Sequence, residues 1–263
     1  MYQAYLDHHV HSLHSWDSES TPEELVAAAR RQGLGGFVLT DHVEFDPSDM
    51  GYGYYNLARA AECVEETAEL TPDLRIRFGA EISHQERFKE EIRDFLHHAS
   101  YQYTIGSVHH VGREEITNFM ARAESQKLPL EDCLDEYFDA CLKVVASNLY
   151  DALGHLDFPK VFSMRGTAVN GDFWMEHYGK TIRRIVTASL DMGVFIEVNT
   201  APYRKGFDEP FPGWAILDLY REKGGREVIL SSDAHRPEDL GTAYGAVFKE
   251  LTRRGLSVRN AVA

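Results

Sequence analysis

The chain has 263 residues, 43% of them hydrophobic and 26% charged, with a formal net charge of −15. That balance suits a globular fold with a full core and argues against non-specific binding to nucleic acid or to an anionic membrane. No run of apolar residues approaches the roughly 18 that a membrane helix requires.

Taken in chain order, the sequence alternates strand-like and helical stretches. Short runs rich in β-branched, aromatic and other apolar residues are expected to form strands at 2–11, 36–42, 75–82, 103–109, 151–157, 194–200 and 228–235. After the first, Thr21-Pro22-Glu23-Glu24 reads as a helix cap, a first-turn proline and first-turn acids. Gly33 and Gly35 stand where that helix should stop. Leu130, Leu134, Tyr137, Phe138, Cys141, Leu142 and Val145 recur at helical spacing, as do Ile182, Ile185, Val186 and Leu190 before Gly193. A shorter helix is expected at 213–223 and a final one at 238–256. Alternating β and α units imply a parallel sheet with helical crossovers. Seven units suggest a distorted (β/α)7 TIM-like barrel in one domain spanning 1–263; an open doubly wound sheet is the rival.

Cys63, Cys133 and Cys141 show no CxxC spacing and begin no C-x5-R phosphatase loop. A sparse, odd set reads as reduced thiols of a cytoplasmic protein. Asp7 and His8 stand where a signal peptide would need apolar residues.

Chemistry gathers at the expected strand ends. His9 and His11 are two residues apart, so they share a face; Asp17 follows in the next loop. Later strands end in Thr40-Asp41-His42, Gly79-Ala80-Glu81, Ser107-Val108-His109, Gly154-His155-Leu156-Asp157 and Ser232-Asp233-Ala234-His235. Parallel barrels place active sites at the carboxyl ends of their strands. Histidine with carboxylate is the ligand mixture of zinc, iron or manganese. Any one of these residues alone reads as an ordinary polar group at a strand end, and one HxH is a weak signal. Together, from remote parts of the chain, they read as a metal cluster. Two such ions can generate a water-derived nucleophile near neutral pH and clamp a phosphoryl transfer.

Some polar residues have blander readings. Asp41 faces away from His42 and is expected to cap a helix or support a ligand. Asp7 is expected either to orient His9 or to make a structural hydrogen bond, and Glu197 to point into the barrel. His8, His14, His84, His97, His98, His110 and His177 are left as surface, supporting or packing residues, and Lys205 as exposed. Tyr52, Tyr54 and Tyr55 are expected to pack, with a pocket wall as the alternative.

At these motifs the sequence resembles the PHP family, the polymerase and histidinol phosphatase family. The likeness runs through Asp7-x-His9-x-His11-Ser12, Thr40-Asp41-His42, Gly79-x-Glu81, Gly106-Ser107-Val108-His109, Gly154-His155-Leu156-Asp157, Glu197-x-Asn199-Thr200 and Ser232-Asp233-Ala234-His235. The resemblance implies a distorted (β/α)7 barrel and two or three divalent ions, Zn, Fe or Mn. His9, His11, Glu81 and Asp233 would hold one ion. Glu81, His109 and His155 would hold a second, with Glu81 bridging, and Asp17, His42 and His235 a third. Some members carry His in place of Asp17; the Asp form is similar to the histidinol-phosphatase branch. Asn199-Thr200-Ala201-Pro202-Tyr203-Arg204 resembles that branch's NT-x-G-x-R segment, with Pro202 where Gly is usual. By that likeness Arg204, and by a looser one Arg165, would bind phosphate, although either could be a solvated charge. Asp233, His235 and Glu81 are the residues expected to carry the catalysis.

The expected activity is hydrolysis of L-histidinol phosphate, in histidine biosynthesis, by metal-hydroxide attack. The expected partner is a small phosphorylated substrate, with no long nucleic acid and no membrane. The alternatives are a PHP-family esterase for nucleotides or other small phosphate esters, a non-catalytic metal-stabilised module, and an amidohydrolase-type barrel. That last class also begins with HxH but bridges its metals with a lysine where this chain offers Glu81.

Overall fold

The computed structural model describes residues 2–162 and 169–260. Seven parallel strands run in chain order around a curled sheet: β1 (Tyr2–Val10), β2 (Leu34–Leu39), β3 (Arg75–Ser83), β4 (Tyr103–Ser107), β5 (Ala152–Leu153), β6 (Phe195–Asn199) and β7 (Glu227–Ser231). The seam between β7 and β1 is spanned twice. On the carboxyl side, Val10 bridges Ala234, with the His11 N–H donating to Ala234 O at 2.9 Å. On the amino side, the short strand Ser257–Val258 adds to β7, and Leu6 N–H donates to Asn260 Oδ1. The result is a TIM-like α/β barrel, not the open doubly wound rival.

Helices fill the crossovers. Thr21 and Glu24 form the reciprocal capping box of Pro22–Gln32, and Gly33, at φ 67°, ends that helix in the left-handed region. The segment around Leu134 is two helices, Leu130–Cys133 and Asp135–Ser147, because the Leu134 N–H leaves the helical ladder for the Tyr178 hydroxyl. The expected final helix at 238–256 is shorter, Tyr244–Arg253, and is preceded by a single 3-10 turn, Pro237–Asp239.

Two apolar layers follow. Leu6, Val38, Tyr103, Ile105, Ala152 and Ile229 plug the barrel interior, while a larger cluster packs the helices on the outer face. Gly36 marks the tightest strand approach: its φ is 145°, and a Cβ there would sit 2.0 Å from Arg75 O.

Several strands stop short of the expected ligand residues, although His42–Val43 rejoins the sheet beside Glu81–Ile82. The reason lies in the backbone donors. The Ser12 N–H donates to Asp41, the His42 N–H to Ser15 Oγ, the His155 N–H to Glu197 and the Ser232 N–H to Asp7. Buried side chains take the N–H groups that a longer ladder would have used, and β5 shrinks to two residues. Among the described residues no helix is long and apolar enough to cross a membrane.

Candidate metal centre

Glu81 is the hub of the barrel mouth. Burial alone would raise its carboxyl, but His9, His42 and His109 hold it well below the usual carboxylate range. Its Oε2 lies 3.2 Å from His9 Nε2, 3.7 Å from His11 Nε2 and 3.0 Å from His42 Nδ1. Its Oε1 lies 2.9 Å from His155 Nε2 and 3.3 Å from His109 Nε2. One carboxylate thus addresses three histidines with one oxygen and two with the other.

Asp233 completes the first group, with Oδ1 3.2 Å from His11 Nε2 and 3.7 Å from His9 Nε2. It sits at φ 55°, a conformation that Asp tolerates better than most residues. Arg204 braces it there by donating to the carbonyls of Ser232 at 2.6 Å and Asp233 at 2.9 Å. A third group forms at the rim, where Asp17 Oδ2 lies 3.1 Å from His235 Nε2 and 3.5 Å from His42 Nε2.

All nine expected ligands therefore converge. Three ligand groups have donor atoms within 4.8 Å of one another: His11 with Asp17, His42 and His235; His9 with His11 and Asp233; and His42 with Glu81 and His109. The grouping differs from the expected one: Glu81 joins His42 and His109 and is not in the His9, His11 and Asp233 group, His155 is in none of the three, and His11 and His42 each fall in two.

The residues fit divalent ions. His9 Nε2 and His11 Nε2 are buried and make no hydrogen bond, a costly state for a polar atom with no ligand to meet. Burial would lower the imidazoles of His9 and His42, yet the carboxylates around them push both well above the ordinary value. His109 is raised to about 10 for the same reason. Burial and the neighbouring His235 and His42 instead drive His11 well below. The carboxylates thus favour positive charge at this spot, which bound metal ions would supply.

A supporting layer orients the ligands. Glu197 Oε1 meets His9 Nδ1 at 2.6 Å, which turns Nε2 toward the cluster, and Ser231 Oγ donates to the same oxygen. Ser15 Oγ lies 2.9 Å from His11 Nδ1 and donates to Asp41, so Asp41 supports a ligand and caps no helix. Asp7 makes structural bonds, accepting from the N–H groups of Ser232 and Gly241. Glu44 has no reading from sequence, yet its Oε1 lies 3.7 Å from His109 Nδ1. Lys160 was also not anticipated: fully buried, its ammonium donates to Asp157, Glu209 and the Pro210 carbonyl beneath Phe211.

The cluster floors a cavity of about 1030 Å³. Arg204 and the exposed Lys205 line one part of it. Arg165 lies outside the described residues. Tyr52, Tyr54 and Tyr55 do not line the cavity: the first two are exposed, and the Tyr55 hydroxyl bonds that of Tyr101. Trp16 and Met50, from neighbouring loops, do line it.

A curled parallel sheet with a histidine–carboxylate cluster at its carboxyl mouth is the architecture of barrel metallohydrolases. The PHP domain model matches residues 7–201, and the chain belongs to the PHP domain family. It is 30% identical over 237 residues to the histidinol-phosphatase of Lactococcus lactis, covering 88% of this chain and 84% of that protein. It is 27% identical over 249 residues to the "Probable histidinol-phosphatase" of Deinococcus radiodurans, covering 93% and 92%. The structure of histidinol phosphate phosphatase from Lactococcus lactis, complexed with zinc, L-histidinol and phosphate, superposes with a TM-score of 0.81 at 24% identity, covering 97% of this chain and 95% of that one.

Proposed function

We propose that this chain is a metal-dependent phosphomonoesterase that hydrolyses L-histidinol phosphate to L-histidinol and phosphate. The observation that carries the reading is the Glu81 carboxylate, shared between His9 and His11 on one oxygen and His109 and His155 on the other. The names of relatives matched over most of both chains supply the substrate.

In this reading His9, His11, Glu81 and Asp233 hold one ion, and Glu81, His109 and His155 hold a second. Asp17, His42 and His235 hold a third, in a single domain with a cytoplasmic setting. Zinc, iron or manganese suits the donor set. Bound ions lower the pKa of water toward neutrality and neutralise phosphate charge. The protein's own part is positional. Arg204, anchored by two carbonyls and with Nε 3.6 Å from Asp239, has one further N–H on each terminal nitrogen to offer the phosphate oxygens. Asp233, which lines the cavity with Oδ1 beside His9 and His11, is placed to take a proton from the attacking water. His235 lies at the cavity rim beside Asp17 and Asp233 and, as a ligand of the third ion, would help to place positive charge near the leaving alkoxide.

The test is elemental analysis of the purified protein with a phosphate-release screen. L-Histidinol phosphate is expected to exceed nucleoside monophosphates by about tenfold or more in kcat/KM, the least that one well-placed recognition element gives. A preference for nucleotides would overturn the substrate. Metal-loaded protein that released phosphate from no ester would overturn the activity.

A further inference from the structure

Outside the ligand cluster the cavity carries four carboxylates, and they are unequally compensated. Glu114 is taken up by Arg122 through three hydrogen bonds. Glu115 accepts from the Thr117 hydroxyl and from Asn118. Asp49 accepts the Gly51 N–H with Oδ1 and leaves Oδ2 3.5 Å from His110 Nε2. Glu44 is the outlier. Its side chain is 3% exposed, Oε1 faces the His109 and His42 rings at 3.7 and 3.8 Å, and Oε2 makes no hydrogen bond. Among the described residues no lysine or arginine pairs with Glu44 or Asp49.

These groups share one wall. Gly51 is wedged between them: a Cβ there would lie 2.4 Å from Trp16 Cδ1 and 3.0 Å from Glu44 Cγ. The loop carrying Asp49 and Met50 therefore packs directly on the Trp16 indole and on the Glu44 stem, and all four side chains line the cavity. A buried carboxylate oxygen without a partner is expensive. Two carboxylates beside an indole make a recess that favours an organic cation.

We propose that Glu44, Asp49 and the Trp16 indole form a cation subsite that receives the positively charged end of the substrate while its phosphate lies at the ligand cluster. The ligand class is an ammonium- or imidazolium-bearing phosphate monoester, and the assignment rests on the phosphoesterase reading above. It goes beyond that reading by naming the residues that select the alcohol half of the ester.

The test compares metal-replete wild-type protein with Asp49→Asn, Glu44→Gln and Trp16→Leu on four esters: L-histidinol phosphate, its deaminated analogue imidazolylpropyl phosphate, 2-aminopropyl phosphate and propyl phosphate, whose alcohol half is uncharged. The quantity read is the kcat/KM ratio of each cationic ester to propyl phosphate. The ratio for L-histidinol phosphate is expected to fall about tenfold or more in each variant, mainly through KM. The two intermediate esters show whether the ammonium or the ring is held. A ratio within about twofold of wild type, whether both esters lose rate together or neither does, overturns the subsite and leaves these residues to packing or ligand support. Wild-type preference for propyl phosphate overturns it as well. If wild type hydrolyses no ester, the phosphoesterase reading fails separately. Calorimetric binding of L-histidinol to the zinc-loaded protein then decides the subsite: a Kd raised about tenfold by Asp49→Asn supports it, and an equal Kd rejects it.

Discussion

Glu197 Oε1 lies 2.6 Å from His9 Nδ1, and both side chains are fully buried. The other Glu197 oxygen accepts the His155 N–H at 2.6 Å. One carboxylate from β6 thus fixes the tautomer of a histidine from β1 and the backbone beneath a histidine that follows β5. Replacing it by an amide keeps the shape but removes the charge that holds the His9 ring. Glu197→Gln is expected to weaken metal binding by roughly 10–100-fold, the usual effect of losing a supporting partner, as read by competition with a chromogenic chelator. Unchanged affinity would remove Glu197 from the account.

Arg204 serves two ends of the site, bracing the Ser232 and Asp233 carbonyls and facing the cavity. Arg204→Lys keeps a positive charge but loses the planar fork. It is expected to lower kcat/KM by about 10²-fold, in the range found for loss of one charge-stabilising donor, with metal content near wild type. Arg204→Met is expected to reduce metal content too, because the left-handed Asp233 loses its brace. Steady-state kinetics beside elemental analysis separate the two effects.

The buried ammonium of Lys160 bonds Asp157, Glu209 and the Pro210 carbonyl. Lys160→Met would leave two carboxylates facing each other without their cation. Breaking such a pair costs about 3–5 kcal/mol, and urea unfolding of metal-free protein should show a loss of that size. A loss below about 1 kcal/mol would mean that Asp157 and Glu209 take up protons cheaply in its place.

Legibility followed chemistry more closely than geometry. The candidate ligands at 9, 11, 17, 42, 81, 109, 155, 233 and 235 stand out because His and acids recur just where apolar runs end, and the structure brings these side chains together. The strands expected at 151–157 and 228–235 are shorter because the N–H groups of His155 and Ser232 bond side chains from remote segments, which no local pattern shows. Glu44 and Lys160 were invisible for a related reason. A single charge in a loop reads as solvated until the fold buries it beside His109 or between Asp157 and Glu209. A pocket wall is only the alternative reading of Tyr52, Tyr54 and Tyr55, and it is Trp16 and Met50 that line the cavity, with Gly51 packing the loop against Trp16.

The protonation of His109 makes a pH prediction for the metal-free protein. Burial lowers its pKa, but Glu81 and Glu44 reverse that and raise it to about 10, against about 6.5 when unfolded. A raised histidine pKa contributes stability that is complete below about 6.5 and is lost as pH climbs through about 10. The difference in urea-unfolding stability between chelated wild type and His109→Gln should therefore shrink between pH 6.5 and 10. Metal loading near neutral pH should also release protons, measurable by pH-stat titration. A difference that grows with pH would contradict the assignment.

The most direct test is anomalous X-ray diffraction from crystals of the metal-replete protein, recorded at the absorption edge of the ion found by elemental analysis. The account predicts two peaks flanking the Glu81 carboxylate, roughly 3.5–4 Å apart, one bonded to His9 and His11 and the other to His109 and His155. A map with no peak there, or with one ion that Glu81 does not touch, would contradict it.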